Sequence, residues 1–175
     1  MKAIIKFLQK VLLVIELFFV ILIVHWEKVL FVGIIALDQF SKIQIVKTMA
    51  LGESIPILGN FFRFTYVLNP GAAFGILPNQ RVFFLLIGVA LLISFAYFFP
   101  RIKKDNRLLK FAWVSLVSGS TANLIDRVQT GKVIDFFDLG FGAIFNVADM
   151  AIVSGMLIMI YIVTFRMDDD ERKRR

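Results

Sequence analysis

The sequence predicts a small membrane protein built of four transmembrane helices with a small β element. Hydrophobic residues make up 59% of the 175-residue chain and charged residues only 19%, where a soluble domain carries about 25%. The mean hydropathy is +0.82. The apolar residues also gather into runs close to the ~17–25 residues that a spanning helix needs.

The first span lies near the N-terminus, where two apolar runs compete. Residues 11–24 are apolar except for Glu16, and residues 29–37 are apolar up to Asp38. Neither run alone reaches spanning length, so we predict one span over residues 28–46. Residues 1–27 are then a basic extension with an interfacial apolar segment. They also resemble a signal peptide, but no small-x-small cleavage motif follows, which argues against that interpretation.

Three further runs follow, at about residues 82–99, 108–125 and 145–165. The run 82–99 carries no charge, and at ~1.5 Å per residue it covers ~27 Å of a ~30 Å hydrocarbon core. The run 108–125 is weaker, because Lys110 lies near one end and Asn123 near the other. We predict one four-span domain over residues 28–166 and a charged tail over residues 167–175.

Basic residues predict the orientation of these spans. They cluster before the first span, between the second and third, and after the fourth: Lys2, Lys6 and Lys10; Arg101, Lys103, Lys104, Arg107 and Lys110; Arg166, Arg172, Lys173, Arg174 and Arg175. With four spans the clusters share one side, and the positive-inside rule makes that side, with both the N- and C-termini, cytoplasmic.

The two outward connections carry the signals of a small β element. Residues 61–67 are rich in aromatic and β-branched residues and are followed by a turn signal at Asn69-Pro70-Gly71. Residues 133–145 are similarly aromatic and punctuated by glycine. These patterns predict an extracytoplasmic β cradle that rests on the membrane surface.

Composition excludes several kinds of chemistry. The chain has no Cys, so it has no zinc finger, iron–sulfur cluster, Cys nucleophile or disulfide. Its single His, His25, leaves no His-rich metal site. We therefore expect no metal and no other cofactor. The net charge of +7 is explained by the cytoplasmic clusters, and no nucleic-acid-binding motif accompanies it.

Two segments, at the outer ends of the third and fourth spans, share an Asn-x-x-Asp pattern. They run from Asn123 to Asp126 and from Asn146 to Asp149, and positions i and i+3 share a helix face. Carboxylates within membrane segments are costly and indicate function. If Asp126 and Asp149 met, one would hold a proton, and the pair could activate water on a peptide carbonyl. The structural alternative is that Asn146 and Asp149 form a capping box and that Asp126 pairs with Arg127.

Three other acidic or basic residues are weaker candidates. Asp38 and Lys42 are spaced i, i+4 at the top of the first span and could brace the site. Asp135 could pair with Arg127 or Arg63.

Five short motifs occur in order between residues 29 and 165. They are DQFSK at 38–42, NPGAAF at 69–74, NLIDR at 123–127, VIDF at 133–136 and FNVAD at 145–149. Together they resemble lipoprotein signal peptidase (signal peptidase II), the aspartyl membrane protease of bacteria. One departure is Ala122, which stands where the family usually has Gly before the Asn.

The resemblance implies an aspartic endopeptidase whose catalytic dyad is Asp126 and Asp149. It implies a set of residues that support the site or the substrate: Asp38, Lys42, Asn69, Gly71, Asn123, Arg127, Asp135, Asn146 and Ala148. The implied substrates are prolipoproteins, cleaved before a Cys that carries a diacylglyceryl group, in the bacterial cytoplasmic membrane. Cyclic depsipeptide antibiotics of the globomycin type are implied as inhibitors. We expect a monomer in membrane lipid.

Three other interpretations, one of them also a protease, compete with this one. A small transporter or ion relay would also use intramembrane carboxylates, but near mid-membrane on several helices rather than at one face. A rhomboid-like serine protease would need a His–Ser pair, and His25 has no Gly-x-Ser-Gly partner. A purely structural membrane protein leaves the two Asn-x-x-Asp segments unexplained.

Overall fold

The protein is described by a computed structural model that covers residues 10–13, 24–59, 61–71 and 77–166. Four helices dominate it: α1 (Trp26–Thr48), α2 (Arg81–Phe98), α3 (Arg107–Gln129) and α4 (Val147–Tyr161). A 3₁₀ turn, Phe99–Arg101, extends α2, and a π-helical turn, Ile162–Arg166, extends α4. Each of the four, with its extension, is long and apolar enough to cross a membrane.

Buried polar side chains occupy part of the inside of the helix bundle, and large apolar side chains cover its outside. Asp38 and Lys42 are 0% and 2% exposed, whereas Val32, Leu86 and Ile93 are each more than 60% exposed. In water such an arrangement would leave large apolar patches uncovered. In a bilayer the exposed aliphatic side chains contact lipid, and the buried polar groups are kept away from it.

A four-stranded antiparallel sheet lies at one end of the bundle. Its strands are β1 (Ser54–Leu58), β2 (Phe62–Asn69), β3 (Val133–Asp138) and β4 (Ile144–Phe145), and they are arranged in sequence order. The β2–β3 register pairs Arg63 with Asp138 and Asn69 with Val133, with a bulge between Phe64 and Val67. Because β2 follows α1 and β3 follows α3, the sheet joins the ends of these two helices.

The sheet is fixed to the bundle by a small apolar cluster. Ile45 and Met49, at the end of α1, pack with Tyr66 of β2 and Phe136 of β3. Partly buried aromatic and aliphatic side chains surround these four residues: Phe64, Leu68, Ile134, Phe137 and Val147. This packing holds β3 against the helix ends, and the polar residues of the site lie directly beside it.

The helices α3 and α4 are in close contact along a seam of small residues. A Cβ atom on Gly155 would lie 2.6 Å from the carbonyl oxygen of Ala112 and 2.8 Å from the amide nitrogen of Leu116. Gly119 meets the backbone of Ala148 in the same way. Small residues permit this close approach of backbones within a membrane.

The predicted fold class, four membrane helices with a small β element, is confirmed. The helices extend a few residues beyond the predicted spans 28–46, 82–99 and 108–125, and α4 begins two residues later than predicted. The sequence analysis missed β1, because Pro56 weakens the strand pattern; the structure places β1 at the edge of the sheet, where proline is tolerated. The predictions for residues 1–9, 14–23 and 167–175 lie outside the described residues.

Gly155→Ala should destabilise the protein by about 1–3 kcal/mol, because the added methyl group would press on backbone atoms that cannot move aside. Thermal unfolding in detergent measures the effect. The matched control is Gly33→Ala in α1, where a Cβ would meet nothing within 4 Å and alanine is the better helix former. Equal melting temperatures in the two variants would contradict a close α3–α4 contact.

Candidate active site

A buried lysine on α1 lies at the centre of the polar interior. The Nζ atom of Lys42 is 2.7 Å from Oδ2 of Asp38 and 2.7 Å from Oδ2 of Asp126. It also donates to Oδ1 of Asn123 at 3.0 Å. An ammonium group has three donors, so these contacts use all of them. The spacing of Asp38 and Lys42, noted in the sequence, therefore produces an ion pair that is buried.

The Asp38 carboxylate also connects α1 to α4. Its Oδ1 atom accepts a hydrogen bond from the backbone N–H of Ala148 at 2.9 Å. Ala148 lies in the first turn of α4, where backbone N–H groups have no partner within the helix. A carboxylate at that position satisfies one of them and is favoured by the helix dipole. Asp38 therefore fixes where α4 begins relative to α1.

Asp126 lies in the last turn of α3, and its partners differ from those that the sequence analysis considered. Its carboxylate is 3% exposed and is bound by Lys42, by Nε2 of Gln39 at 2.9 Å and by the backbone N–H of Ile134 at 3.3 Å. Its ionic partner is Lys42, and the expected pair with Arg127 is not formed. Asp126 is linked to Asp149 only indirectly, through Lys42 and Asn123.

Two asparagines join the helices to the sheet. Nδ2 of Asn123 donates to Oδ1 of Asp149 at 2.8 Å, and Oδ1 of Asn123 accepts from Nδ2 of Asn146 at 3.2 Å. The same Nδ2 atom of Asn146 lies 2.6 Å from Oδ1 of Asp135 and 3.2 Å from the carbonyl oxygen of Ile134. Asn146 is fully buried, so its amide holds three elements in fixed positions.

Asp149 takes part in the capping box that the sequence suggested as a structural alternative. Oδ1 of Asn146 accepts from the backbone N–H of Asp149 at 2.9 Å, and Oδ2 of Asp149 accepts from the backbone N–H of Asn146 at 3.3 Å. The structural and functional interpretations therefore coexist. The box orients the carboxylate of Asp149, which is only half-buried.

Asp135 is the second carboxylate at this place, and it comes from β3. It is 1% exposed, and it accepts hydrogen bonds from Asn146 and from Nδ2 of Asn69 at 2.9 Å. Burial and the neighbouring Asp149 carboxylate raise the pKa of Asp135 to about 7, although the two asparagine donors and Lys42 act in the opposite direction. A carboxyl group with this pKa is about half protonated at neutral pH, far more than an ordinary aspartate.

The pKa of Asp138, three residues further along β3, is shifted in the opposite direction. Burial acts to raise the pKa of Asp138, but hydrogen bonds from Gly140 and Thr65 and the Arg63 cation hold it below its usual value. Nη2 of Arg63 lies 3.0 Å from Oδ2 of Asp138. The expected pair between Arg63 and Asp135 is thus replaced by a pair with Asp138.

Arg127 lies beside the two carboxylates without forming an ion pair with either. Its Nη2 atom donates to the carbonyl oxygen of Gly71 at 2.8 Å, and its guanidinium lies 4.5 Å from the ring centroid of Phe84. The backbone N–H of Gly71 in turn donates to Oδ1 of Asn69 at 2.9 Å. Arg127 therefore connects residues 69–71 to α2 and α3.

All eleven residues that the sequence singled out belong to one continuous network of contacts. Within it the acidic residues fall into two pairs. Asp38 and Asp126 share the Lys42 cation, whereas Asp135 and Asp149 are in no ion pair within the described residues. Two neighbouring carboxylates without a cation tend to share a proton, as acid–base catalysis by a pair of carboxyl groups requires. Across the described ranges, no group of three or more His, Cys, Asp or Glu residues is arranged to hold a metal ion.

Sequence reasoning missed two features of the site. Gln39 donates to Asp126 and to the carbonyl oxygen of Ala122, at 3.3 Å; its position, one residue from Asp38 on a membrane helix, was the available signal. The closeness of Asp135 and Asp149 was also missed. Asp135 lies on a strand, so no helical spacing relates it to the fourth span.

Comparison with known proteins adds independent information. Residues 30–165 match the family model described as signal peptidase (SPase) II. The chain is 41% identical over 132 residues to the lipoprotein signal peptidase of Moorella thermoacetica, an alignment that covers 73% of this chain and 85% of that one. It is 44% identical over 137 residues to the lipoprotein signal peptidase of Brevibacillus brevis, with 77% and 92% covered.

A solved structure of a bacterial membrane enzyme has a similar fold. The two chains superpose with a TM-score of 0.75 at 34% sequence identity, over 85% of this chain and 92% of that one.

Lys42→Met should destabilise the protein by about 3–5 kcal/mol, because it leaves two buried carboxylates without their cation. Arg63→Met is the matched control, since Arg63 is 36% exposed and its partner Asp138 keeps hydrogen bonds from Thr65 and Gly140, so its loss should cost less. Thermal unfolding of both proteins in the same detergent compares them. A smaller loss in Lys42→Met than in Arg63→Met would show that Lys42 is not the centre of the polar interior.

Proposed function

The chain belongs to the signal peptidase II family of membrane proteases, and we propose that Asp135 and Asp149 are the two carboxylates with which it cleaves. Membership makes it a hydrolase that removes signal peptides from prolipoproteins, with the aspartic mechanism of its family. The transporter alternative is not favoured. What remains to be assigned is the role of each residue in this chain.

The absence of ion pairs at Asp135 and Asp149, within the described residues, is the observation that carries the assignment. Asn146 contacts both residues, so their relative positions are fixed. Asp126, in contrast, is bound by the Lys42 ammonium at 2.7 Å. A carboxylate held in this way is a poor base, because a proton on it would break the ion pair. The geometry thus favours Asp135 over Asp126 as the partner of Asp149.

In the mechanism that we propose, the two carboxyl groups have different tasks in the first step. Asp149 is ionised and more accessible, and it takes a proton from water. The oxygen of that water forms a bond to the carbon of the scissile carbonyl. Asp135, protonated near neutral pH, donates its proton to the carbonyl oxygen. The product is a neutral tetrahedral diol, with Asp149 protonated and Asp135 ionised.

The second step reverses these roles. Asp149 donates its proton to the amide nitrogen, and the C–N bond breaks. Asp135 takes a proton from a hydroxyl group of the diol as the new carboxyl group forms. The dyad returns to its starting state, so neither a metal nor a covalent intermediate is required. Because the two groups exchange protons, their titrations belong to the pair rather than to either residue.

The other residues of the network support this pair. Lys42 forms ion pairs with Asp38 and Asp126 and orients Asn123, which donates to Asp149. Asn69 and Asn146 hold Asp135. We assign Arg127 and Gly71 to the substrate side of the site, because their contact ties the segment at Asn69 to the helices. A substrate anchored by a diacylglyceryl group on its Cys would bring its scissile bond to the same depth.

The distribution of charge supports a membrane orientation. Arg101, Arg107 and Lys110 lie at the bundle end opposite the sheet, and basic residues favour the cytoplasmic side. We therefore propose that both termini are cytoplasmic, that the dyad lies at the extracytoplasmic face, and that the membrane is the bacterial inner membrane. Action as a monomer and inhibition by globomycin-type depsipeptides are proposed on the family resemblance alone.

Asp135→Asn and Asp149→Asn should each reduce cleavage of a diacylglyceryl-modified prolipoprotein by at least about 100-fold. Their melting temperatures should stay close to that of the wild type, since asparagine preserves the size of the side chain. The assay follows loss of the signal peptide by gel shift, with purified protein in detergent and an unlipidated substrate alongside.

Asp126→Asn distinguishes the proposed dyad from the one expected from the sequence. It removes a charge from a buried ion pair, so it should lower the melting temperature while the folded fraction keeps activity within about tenfold of wild type. Folded but inactive Asp126→Asn protein, together with active Asp135→Asn protein, would overturn the assignment in favour of Asp126.

The rate of cleavage should fall as the pH rises above about 7, because Asp135 must be protonated to act as the acid. Asn69→Ala removes a hydrogen bond that favours the ionised form of Asp135. That variant should move the alkaline limb of the pH–rate profile to higher pH by roughly 0.5–1 pH unit. Thr65→Val loses hydrogen bonds to Ser54 and Asp138 but none to Asp135, so it should leave the alkaline limb in place. An alkaline limb that stays at the same pH, or moves to lower pH, in Asn69→Ala would be inconsistent with Asp135 as the acid.

A further inference from the structure

A cavity of about 480 Å³ lies at the end of the bundle opposite the sheet. It opens between the beginning of α1 and the beginning of α3, and it is lined by Trp26, Arg107, Leu108 and Phe111. At ~1.5 Å per residue, Arg107 is ~28 Å along α3 from Asp126. The cavity is therefore separate from the catalytic site and too distant to contact the scissile bond.

The charges around this cavity are unevenly balanced. Lys110 and Glu27 form an ion pair with 3.1 Å between Nζ and Oε1, so these two charges cancel. Arg107 is exposed and is in no ion pair within the described part of the chain. The loop before it contains two lysines and one acidic residue: Lys103, Lys104 and Asp105. The loop residues do not line the cavity, so Arg107 supplies the uncompensated positive charge among the lining residues that the structure describes.

Arg107 is also poorly placed for the stability of its own helix. It is the first residue of α3, where the helix dipole disfavours a cation, and Asn106 already caps that end by accepting from the N–H of Leu109 at 3.1 Å. An anion bound to Arg107 would offset the repulsion. The local structure therefore leaves Arg107 available for a ligand.

We propose that this cavity binds an anionic phospholipid. The phosphodiester of the headgroup would bind the guanidinium of Arg107, and the upper part of one acyl chain would lie against Leu108 and Phe111. Trp26 has the amphipathic ring typical of the membrane–water interface. Basic pockets between membrane helices recognise anionic headgroups, and the volume is within the range of ligand sites. The lipid would join α1 to α3 beside the Glu27–Lys110 pair.

The test compares two lipids on the full chain. Purified protein is incubated with equal amounts of phosphatidylglycerol and phosphatidylcholine, and the retained lipid is counted by native mass spectrometry. Arg107→Gln should lower the preference for phosphatidylglycerol about fivefold, the effect of one basic residue near a membrane surface. Lys103→Gln removes the same charge outside the cavity and should leave the preference nearly unchanged. Signal-peptide cleavage, measured in parallel, reports whether each variant is folded.

Three results would overturn the proposal. Wild-type protein that retains the two lipids equally shows that there is no anionic site, and this result requires no variant. Equal losses in Arg107→Gln and Lys103→Gln show diffuse attraction rather than a cavity. Displacement of the lipid by glycerol phosphate at matched concentration shows that the acyl chain contributes nothing, so that the ligand is a phosphate group and not a lipid.

Discussion

The contact between Lys42 and its three oxygen partners is the constraint on which the rest of the structure depends. A buried ammonium must be fully paired, and here its partners come from α1 and α3: Asp38, Asp126 and Asn123. Because Asp38 also accepts the N–H of Ala148, the same cluster positions the start of α4. One cation thus sets the relative positions of three helices, and lipid-facing packing alone would not specify them, since lipid tails are as apolar as the side chains.

The Lys42 cluster also explains why the site contains two kinds of carboxylate. Asp38 and Asp126 form ion pairs with Lys42, and in the proposed assignment they hold the helices in position. Asp135 and Asp149 have amide and backbone N–H donors in place of a cation. Neutral donors orient a carboxyl group and favour its ionised form less strongly than a cation would, so a proton can move on and off the pair. The ion pairs carry the stability of the site, and the neutral hydrogen bonds leave its chemistry available.

The small sheet places a carboxyl group in the site. Its strand β3 holds Asp135 at the start of α4, and the apolar cluster around Phe136 keeps β3 in position. At the other end of α3, the pair Glu27–Lys110 and the proposed lipid join α1 to α3 once more. The bundle is therefore closed at both ends by polar contacts, and its middle is held by close packing at Gly119 and Gly155.

The sequence by itself determined the four membrane helices, the β element and most of the residues that form the polar network. The helices follow from apolar runs of bilayer length, and the site follows from polar residues such as Lys42 and Asn146, which a membrane tolerates only where they are paired. What only the tertiary structure decided was the pairing among the acidic residues. Asp126 and Asp149 have matching helical motifs, but in the folded protein Lys42 of α1 pairs with Asp126, and β3 places Asp135 beside Asp149. Spacing along a chain predicts neighbours on one helix, whereas contacts between a strand and a helix depend on how the whole molecule packs.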